Sequence, residues 1–217
     1  MRYKAAVFDM DGTILNTIED LTDSTNYALS FNGLPERSLE EVRCFVGNGI
    51  RKLIERAVPE GTSAGVVNKV FETFTDYYKG HSAIKTRPYE GINQAILRLR
   101  AAGVKTAVVS NKADFGVQDL CRDYFPGMFD FALGEKSGMA KKPAPDMVEA
   151  ALRSLGIDKK DAVYIGDSDV DIMTAKNSGM DVIMVGWGFR DEKFILEHGA
   201  PFVIHSTDKL VDIILGE

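Results

Sequence analysis

A short apolar run near the start of the chain, ending in two closely spaced carboxylates, constrains the fold most strongly. Residues 5–8 (Ala-Ala-Val-Phe) have no polar face, which is typical of a strand buried on both sides of a sheet. Asp9 therefore follows at the carboxyl end of a strand, where open α/β sheets bind their ligands. Asp11 comes two residues later and Gly12 permits a sharp turn. Two such close carboxylates favour a cation between them, although a turn with helix-capping aspartates would also fit.

From Tyr89 onward the chain alternates helical patterns with short apolar strands. Helices are predicted over 91–102, 113–124, 145–155 and 170–178, and strands over 104–109, 129–133, 162–165 and 182–185. Strands separated by helices imply parallel βαβ crossovers. We therefore expect an α/β fold with a doubly wound parallel sheet.

Residues 15–85 interrupt this alternation. They carry helical patterns over 17–31, 50–58 and 66–78 and no convincing strand. An all-helical block inserted directly after the first strand suggests a separate cap over the site that the strand creates. We expect a core of residues 1–14 and 86–217, and a helical cap of residues 15–85 that determines substrate specificity and moves as a lid.

Composition limits the partners. The 217 residues are 45% hydrophobic and carry a net charge of −6, with no basic block that would bind nucleic acid. No apolar run reaches the roughly 18 residues of a membrane span, and we expect no signal peptide before the first strand. Cys44 and Cys121 match no metal-binding spacing, so we expect free thiols and a cytoplasmic location.

Three further polar motifs follow predicted strands or precede predicted helices. Ser110-Asn111 ends one strand, Lys142 stands just before a helix, and Asp167 and Asp171 flank the start of another. Together with the first motif they provide a nucleophilic carboxylate, a second carboxylate for proton transfer, a hydroxyl and a lysine. Phosphoryl transfer needs these groups. The candidate metal ligands are all oxygens, which suits Mg²⁺ and not zinc.

With these residues the chain resembles the haloacid dehalogenase superfamily, in its phosphatase branch with a helical cap. The motifs that match in type and order are Asp9-x-Asp11-Gly12-Thr13, Ser110-Asn111, Lys142-Pro143-x-Pro145 and Gly166-Asp167-Ser168-x-x-Asp171. The resemblance implies that Asp9 is the nucleophile and forms an aspartyl-phosphate. It implies that Asp11 is the general acid and then the general base. The dehalogenase and phosphonate-cleaving branches lack this acid, so neither fits.

The same resemblance implies roles for the other motif residues. Asp9, the main-chain carbonyl of Asp11 and Asp167 would hold Mg²⁺. Ser110 and Lys142 would bind the phosphoryl oxygens, and Asp171 would support the metal site and the lysine. Within the same motifs, Thr13 and Asn111 are predicted to contact substrate. The role of Lys112 is left open, since its side chain could contact a substrate anion or be exposed to water.

The segment Phe45-Val46-Gly47-Asn48-Gly49-Ile50 resembles a loop of phosphoglycolate phosphatases, as do 88–91 and 187–190, although Glu90 stands where proline is common. Asn48 is a good N-cap residue, and amides around Gly49 could receive a substrate carboxylate with help from Arg51 or Lys52. Gly47, Asn48 and Arg51 are therefore predicted to bind substrate. Alternatively, the glycines only turn the chain and Asn48 only caps the helix.

These observations predict a Mg²⁺-dependent phosphomonoester hydrolase that acts on phosphoglycolate or a similarly small acidic phosphate. A sugar phosphomutase of the β-phosphoglucomutase type would use the same Asp9 and Asp11. A non-catalytic binding protein could also retain the fold, but the complete set of motif residues argues against it. The expected partner is a small phosphorylated metabolite, and the expected state is a monomer or weak dimer.

Overall fold

The computed structural model describes residues 1–217, and the chain separates into two units. The first unit contains Met1–Leu15 and Pro88–Glu217, and the second contains Asn16–Arg87. These limits lie within two residues of the predicted boundaries. None of the helices is long and apolar enough to cross a membrane.

Eight strands occur along the chain: β1 (Ala5–Phe8), β2 (Leu15–Asn16), β3 (Arg87–Pro88), β4 (Lys105–Ala113), β5 (Phe131–Glu135), β6 (Ala162–Gly166), β7 (Asp181–Val185) and β8 (Val203–Ile204). Six of them form one parallel sheet in the order β5-β4-β1-β6-β7-β8. The short strands β2 and β3 pair with each other where the chain passes from one unit to the other.

Ten helices complete the fold: α1 (Ile18–Phe31), α2 (Leu39–Phe45), α3 (Ile50–Ala57), α4 (Ala64–His81), α5 (Ile92–Ala101), α6 (Asp114–Tyr124), α7 (Asp146–Leu155), α8 (Asp169–Ser178), α9 (Glu192–Glu197) and α10 (Thr207–Leu215). The first four belong to the second unit and the other six to the first.

Both faces of β1 are buried, because its side chains alternate between two apolar layers. Ala6 and Phe8 pack in a core with residues of α5, α6 and α10. Ala5 and Val7 pack in a second core with residues of α7 and α8. Helices therefore cover both faces of the sheet, which confirms the predicted α/β class and the doubly wound parallel sheet.

The second unit is helical, as expected for residues 15–85. The backbone amides of Lys85 and Thr86 donate to the buried carboxylate of Asp20, which ties the end of this unit to α1. Helix α2 was not predicted from the sequence. Its start carries a capping box between Ser38 and Glu41, a recognisable sequence signal for a helix N-terminus.

Strand β4 is longer than predicted and continues to Ala113 instead of ending at Val109. Its register against β5 shifts between these two residues, so the chain stays extended through an irregularity. The extension carries Ser110, Asn111 and Lys112 along the same strand. Both cysteines are free thiols, as expected.

Candidate active site

Three polar residues lie near the carboxyl ends of three neighbouring strands. Asp9 follows β1, Ser110 lies in the last part of β4, and Asp167 follows β6. Because β1 pairs in parallel with both β4 and β6, these ends meet at the same edge of the sheet. All three residues are buried. The geometry thus brings together residues far apart in sequence.

A buried lysine brings positive charge to this edge. Nζ of Lys142 lies 2.8 Å from Oδ1 of Asp9 and 2.9 Å from Oδ1 of Asp171. Nζ also donates to the hydroxyl of Tyr164 at a distance of 2.9 Å, and that hydroxyl donates to Oδ1 of Asp171 at 3.1 Å. Burial opposes the charge of Lys142, but the carboxylates of Asp171 and Asp9 outweigh it and hold its pKa well above the ordinary range.

Asp171 is held from several directions in the first turn of α8. Its Oδ2 accepts from the hydroxyl of Ser168 at 2.7 Å and from the backbone amides of Ser168 and Asp167 at 3.1 and 3.2 Å. Gly166 makes room for this carboxylate, since a Cβ at that position would overlap its side chain. With both oxygens engaged, Asp171 is placed to position Lys142 and the loop of Asp167.

Asp167 is held by two hydrogen bonds and two glycines. Its Oδ1 accepts from the hydroxyl of Thr13 at 3.1 Å, and its Oδ2 accepts from the backbone amide of Phe189 at 2.8 Å. A Cβ at Gly12 or at Gly188 would overlap this carboxylate. The hydroxyl of the buried Thr13 therefore orients Asp167, and the predicted contact of Thr13 with substrate stays a prediction.

The two carboxylates at the ends of β1 and β6 have strongly perturbed acidities. Burial raises the pKa of Asp9 from 3.8 to about 7, with Lys142 opposing the shift and the charges of Asp171 and Asp11 adding to it. Burial raises the pKa of Asp167 from 3.8 to about 8, with the charges of Asp171 and Asp9 adding to it. Burial therefore disfavours the charged form of both carboxylates, and their mutual repulsion adds to this effect.

Asp11 faces a different lysine. Nζ of Lys112 lies 3.1 Å from Oδ1 of Asp11 and 3.5 Å from its Oδ2. The Lys112 side chain is 3% exposed and that of Asp11 is 15% exposed. Of the two possibilities left open from the sequence, exposure of Lys112 to water is wrong, because the ammonium is buried against a carboxylate.

Ser110 and Asn111 also have defined positions. Oγ of Ser110 accepts from the backbone amide of Lys112 at 3.3 Å, which leaves its proton available for another acceptor. Nδ2 of Asn111 donates to the carbonyl of Lys142 over 3.0 Å. Asn111 thus supports the backbone that carries Lys142, whereas a direct contact with substrate stays a prediction.

The predicted loop residues of the second unit are arranged differently from expectation. The N-cap of α3 is Gly49, with φ of 83°, so the prediction that Asn48 caps this helix is wrong. Helix α3 begins at Ile50, one residue too late for Asn48 to occupy the cap position. Oδ1 of Asn48 instead accepts from the Arg56 guanidinium at 2.8 Å. Gly47 and Gly49 both have positive φ, as the chain-turning alternative requires.

Arg51 is engaged within its own unit. Its guanidinium donates to Oδ1 of Asn68 at 2.7 Å and to Oε1 of Glu55 at 3.2 Å. It also lies 5.3 Å from the ring centre of Phe71. Binding of a substrate carboxylate by Arg51 stays a prediction, and it would require the side chain to exchange these partners.

The sequence as a whole matches a known family. The family model described as haloacid dehalogenase-like hydrolase covers residues 6–185. The chain belongs to this family. Three of the four motifs that suggested the resemblance lie at the carboxyl ends of strands β1, β4 and β6. The fourth, which contains Lys142, lies before α7, and the Lys142 side chain extends to the same edge of the sheet.

Relatives of this haloacid dehalogenase-like hydrolase are phosphatases. A phosphoglycolate phosphatase from Mesorhizobium japonicum is 34% identical over 94% of this chain and 91% of its own length. An N-acetylmuramic acid 6-phosphate phosphatase from Pseudomonas aeruginosa is 30% identical over 99% and 96%. A solved structure of a proposed phosphoglycolate phosphatase from Lactobacillus delbrueckii subsp. bulgaricus is 44% identical, with a TM-score of 0.96 and complete coverage of both chains. The predicted enzyme class, phosphoric monoester hydrolase, is confirmed.

The hydrolase also offers a fitting donor set for a hard cation. Carboxylate oxygens of Asp9, Asp167 and Asp171 all lie within 4.8 Å of one another. Asp171 already forms an ion pair with Lys142 and accepts hydrogen bonds from the start of α8, whereas Asp9 and Asp167 directly follow the ends of two paired strands. Burial, together with the neighbouring carboxylates, raises the pKa values of both residues, and a bound cation would oppose these shifts. All-oxygen ligands at a buried anionic site suit Mg²⁺.

Two contributors to this edge were not predicted from the sequence. The hydroxyl of Tyr164 joins Lys142 to Asp171, and the backbone amide of Phe189 holds Asp167. Tyr164 could have been noticed, because it is a hydroxyl-bearing residue in an otherwise apolar strand two residues before Gly166. No side-chain pattern signals a backbone amide such as that of Phe189.

Proposed function

We propose that this protein is a Mg²⁺-dependent phosphomonoester hydrolase that works through an aspartyl-phosphate on Asp9. The observation that carries the proposal is the placement of Asp9 at the end of β1, with its Oδ1 2.8 Å from the buried ammonium of Lys142. A buried carboxylate beside a fixed cation can attack a phosphoryl group whose negative charge the same cation stabilises.

In the first half-reaction a carboxylate oxygen of Asp9 attacks phosphorus in line with the ester oxygen. The bond between phosphorus and the ester oxygen breaks, and its electron pair leaves with that oxygen. Asp11 donates a proton to the oxygen as it leaves, so the product is a neutral alcohol. In this proposal Lys142 and the hydroxyl of Ser110 bind the equatorial phosphoryl oxygens.

In the second half-reaction water attacks phosphorus of the aspartyl-phosphate. Asp11, now a carboxylate, takes a proton from this water. The bond between phosphorus and the Asp9 oxygen breaks, and its electron pair returns to the carboxylate. Inorganic phosphate leaves and both aspartates regain their starting protonation states.

The residues that would hold Mg²⁺ are Asp9, Asp167 and the main-chain carbonyl of Asp11. When bound there, Mg²⁺ supplies positive charge that offsets the carboxylates and the incoming phosphate. Thr13 and the amide of Phe189 keep Asp167 oriented for this role, and Asp171 keeps the loop in place.

We propose a small acidic phosphate as substrate, with phosphoglycolate as the first candidate. Support comes from the loop resemblance and from the names of relatives similar over nearly the whole chain. A relative of similar identity is named for a larger sugar phosphate, so substrate range varies among proteins this similar. We further propose that residues 16–87 act as the cap that selects the substrate.

The test measures inorganic phosphate released from 2-phosphoglycolate, N-acetylmuramic acid 6-phosphate and 4-nitrophenyl phosphate, with Mg²⁺ and with excess chelator. We expect turnover that chelation abolishes and Mg²⁺ restores, and an acid-stable phosphoryl group on Asp9 in rapidly quenched samples. Full activity in excess chelator would overturn the metal dependence. Conversion of a sugar phosphate to its isomer without phosphate release would favour the mutase alternative.

A further inference from the structure

Lys112 is a buried cation that the mechanism above does not use. It lies in β4, two residues after Ser110, and its ammonium contacts the carboxylate of Asp11. A lysine side chain this buried is unusual unless it is paired or functional. It differs from Lys142, which contacts Asp9 and Asp171 on the same sheet edge.

We propose that Lys112 is the positioning residue for Asp11 and that it fixes the carboxylate in the orientation needed for proton transfer. The inference rests on the proposed function, in which Asp11 handles the leaving-group proton. The contact is asymmetric, at 3.1 Å to Oδ1 and 3.5 Å to Oδ2, so Oδ2 is the less engaged oxygen. An aspartate held by one oxygen keeps the other available for a reacting group.

The backbone of Lys112 is itself fixed by its neighbours. Its amide donates to Oγ of Ser110, which links the two residues within the strand. A Cβ at Gly134 of β5 would overlap the carbonyl of Lys112 and the backbone of Asp114. Glycine at this position therefore allows the close approach of β5 that holds the end of β4 in place.

The stem of Lys112 also has a defined path. A Cβ added at Gly116 in α6 would lie 3.5 Å from Cε of Lys112 and 3.7 Å from its Cδ and Cγ. The methylene groups thus run beside this helix at van der Waals distance. With both ends of its side chain constrained, Lys112 can restrict the rotamers of Asp11. This restriction lowers the entropic cost of orienting the carboxylate for proton transfer.

A positioning role predicts a specific kinetic signature. The constant kcat/KM reports transfer of the phosphoryl group to Asp9, the step in which the leaving oxygen takes its proton. Good leaving groups such as 4-nitrophenolate need little help from an acid, whereas alkoxides need much. Lys112→Met should therefore make kcat/KM depend more steeply on leaving-group acidity, as Asp11→Asn should.

The experiment compares wild type, Lys112→Met, Asp11→Asn and the double variant on a series of aryl and alkyl phosphates. Lys112→Met should lose about 10- to 100-fold more kcat/KM on alkyl than on 4-nitrophenyl phosphate, within the range of general acid catalysis. The double variant should be no slower than Asp11→Asn alone, because both changes remove the same function. Lys112→Arg should restore part of the loss, and the exposed-site control Lys136→Met should match wild type.

Three outcomes would overturn the inference: an equal loss on every substrate, additive losses in the double variant, or a change in KM alone. The last would mean that Lys112 binds substrate directly. If Lys112→Met fails to fold, Lys112→Arg and Lys112→Gln carry the same comparison of slopes. Wild type inactive on the entire series would instead refute the proposed function, so the two failures are distinguishable.

Discussion

Oδ1 of Asp9 lies 2.8 Å from Nζ of Lys142, with the two side chains 11% and 1% exposed. The two residues come from different parts of the chain, one after the first strand and one before α7. A cation fixed beside the proposed nucleophile orients the carboxylate before any substrate arrives. Such preorganised charge costs little reorganisation during the reaction.

Asp9→Asn should abolish turnover while the protein stays folded. The amide has the same shape but is a poor nucleophile and an uncharged ligand. Lys142 keeps Asp171 and Tyr164 as partners in this variant, so its charge remains compensated. Phosphate release and circular dichroism measure the two properties, with Asp119→Asn on the surface as control. More than a few per cent of residual activity would contradict the assignment.

Gly12→Ala should weaken Mg²⁺ activation by displacing Asp167. The added Cβ would overlap the Asp167 carboxylate, and alanine would also be strained at φ of 89°. Gly103→Ala is a matched control, since Gly103 has φ of 87° but nothing within 4 Å of the added atom. Titration of activity with Mg²⁺ should show a higher half-saturating concentration only for Gly12→Ala. Equal values for both variants would mean that Asp167 does not bind the metal.

The metal-free protein should lose stability as pH rises from about 4 to about 8. The folded state raises the pKa of Asp9 to about 7 and of Asp167 to about 8, both from 3.8, so it holds these protons more tightly than the unfolded chain. Their contribution to stability is complete below pH 3.8 and is lost as pH rises through the folded pKa values.

Thermal unfolding at several pH values tests this contribution against Asp167→Asn, whose neutral side chain should flatten the decline. Added Mg²⁺ should raise the unfolding temperature more at pH 8 than at pH 5, because it competes with the protons. A stabilisation by Mg²⁺ that is the same at both pH values would argue against binding at these carboxylates.

Tyr164→Phe should lower both stability and kcat. The variant removes the hydroxyl that accepts from Lys142 and donates to Asp171, and both of these side chains stay buried. Loss of these bonds should cost about 1 to 2 kcal/mol in the free energy of unfolding, measured by urea denaturation. We expect kcat to fall as the ammonium of Lys142 becomes less constrained. Unchanged kcat with reduced stability would limit Tyr164 to a structural role.

Arg56→Ala should raise KM for carboxylated phosphates if the loop before α3 contributes to substrate selection. The Arg56 guanidinium donates to the carbonyl of Phe45 and to Oδ1 of Asn48, at 2.8 Å in each case. These two hydrogen bonds hold the loop between α2 and α3 in place. The effect should be smaller for 4-nitrophenyl phosphate. Arg153→Ala, on the surface of α7, provides the control. Identical KM values in all three proteins would place substrate selection elsewhere.

The cluster of polar residues at one edge of the sheet was predictable, because the carboxyl ends of parallel strands lie at the same edge. An apolar strand followed by a polar residue predicts that the residue lies at this edge, and this held for Asp9, Ser110 and Asp167. The same logic does not reach Tyr164, whose contacts depend on how α8 begins relative to β6. Knowing which strand a residue belongs to does not predict which hydroxyl forms a hydrogen bond with which carboxylate.

The errors concern single turns of backbone. Asn48 has the right chemistry for a helix cap, but Gly49, with its positive φ, occupies the N-cap position and α3 begins at Ile50. The side chain of Asn48 accepts a hydrogen bond from Arg56 instead. The hydrogen bond from the Thr13 hydroxyl to Asp167 was not predicted, because it depends on the relative positions of two strand ends. Shifts of one residue decide such contacts, and local composition does not determine them.

The position of β1 in the sheet has a consequence for synthesis of the protein. This apolar strand is made before both of its neighbours, because β4 and β6 lie beyond the inserted helices in the sequence. The helices of Asn16–Arg87 can fold while β1 is still waiting for a partner. During that interval the nascent chain carries an unpaired, fully apolar strand, and Asp9 takes up its final surroundings only after β4 and β6 have been made.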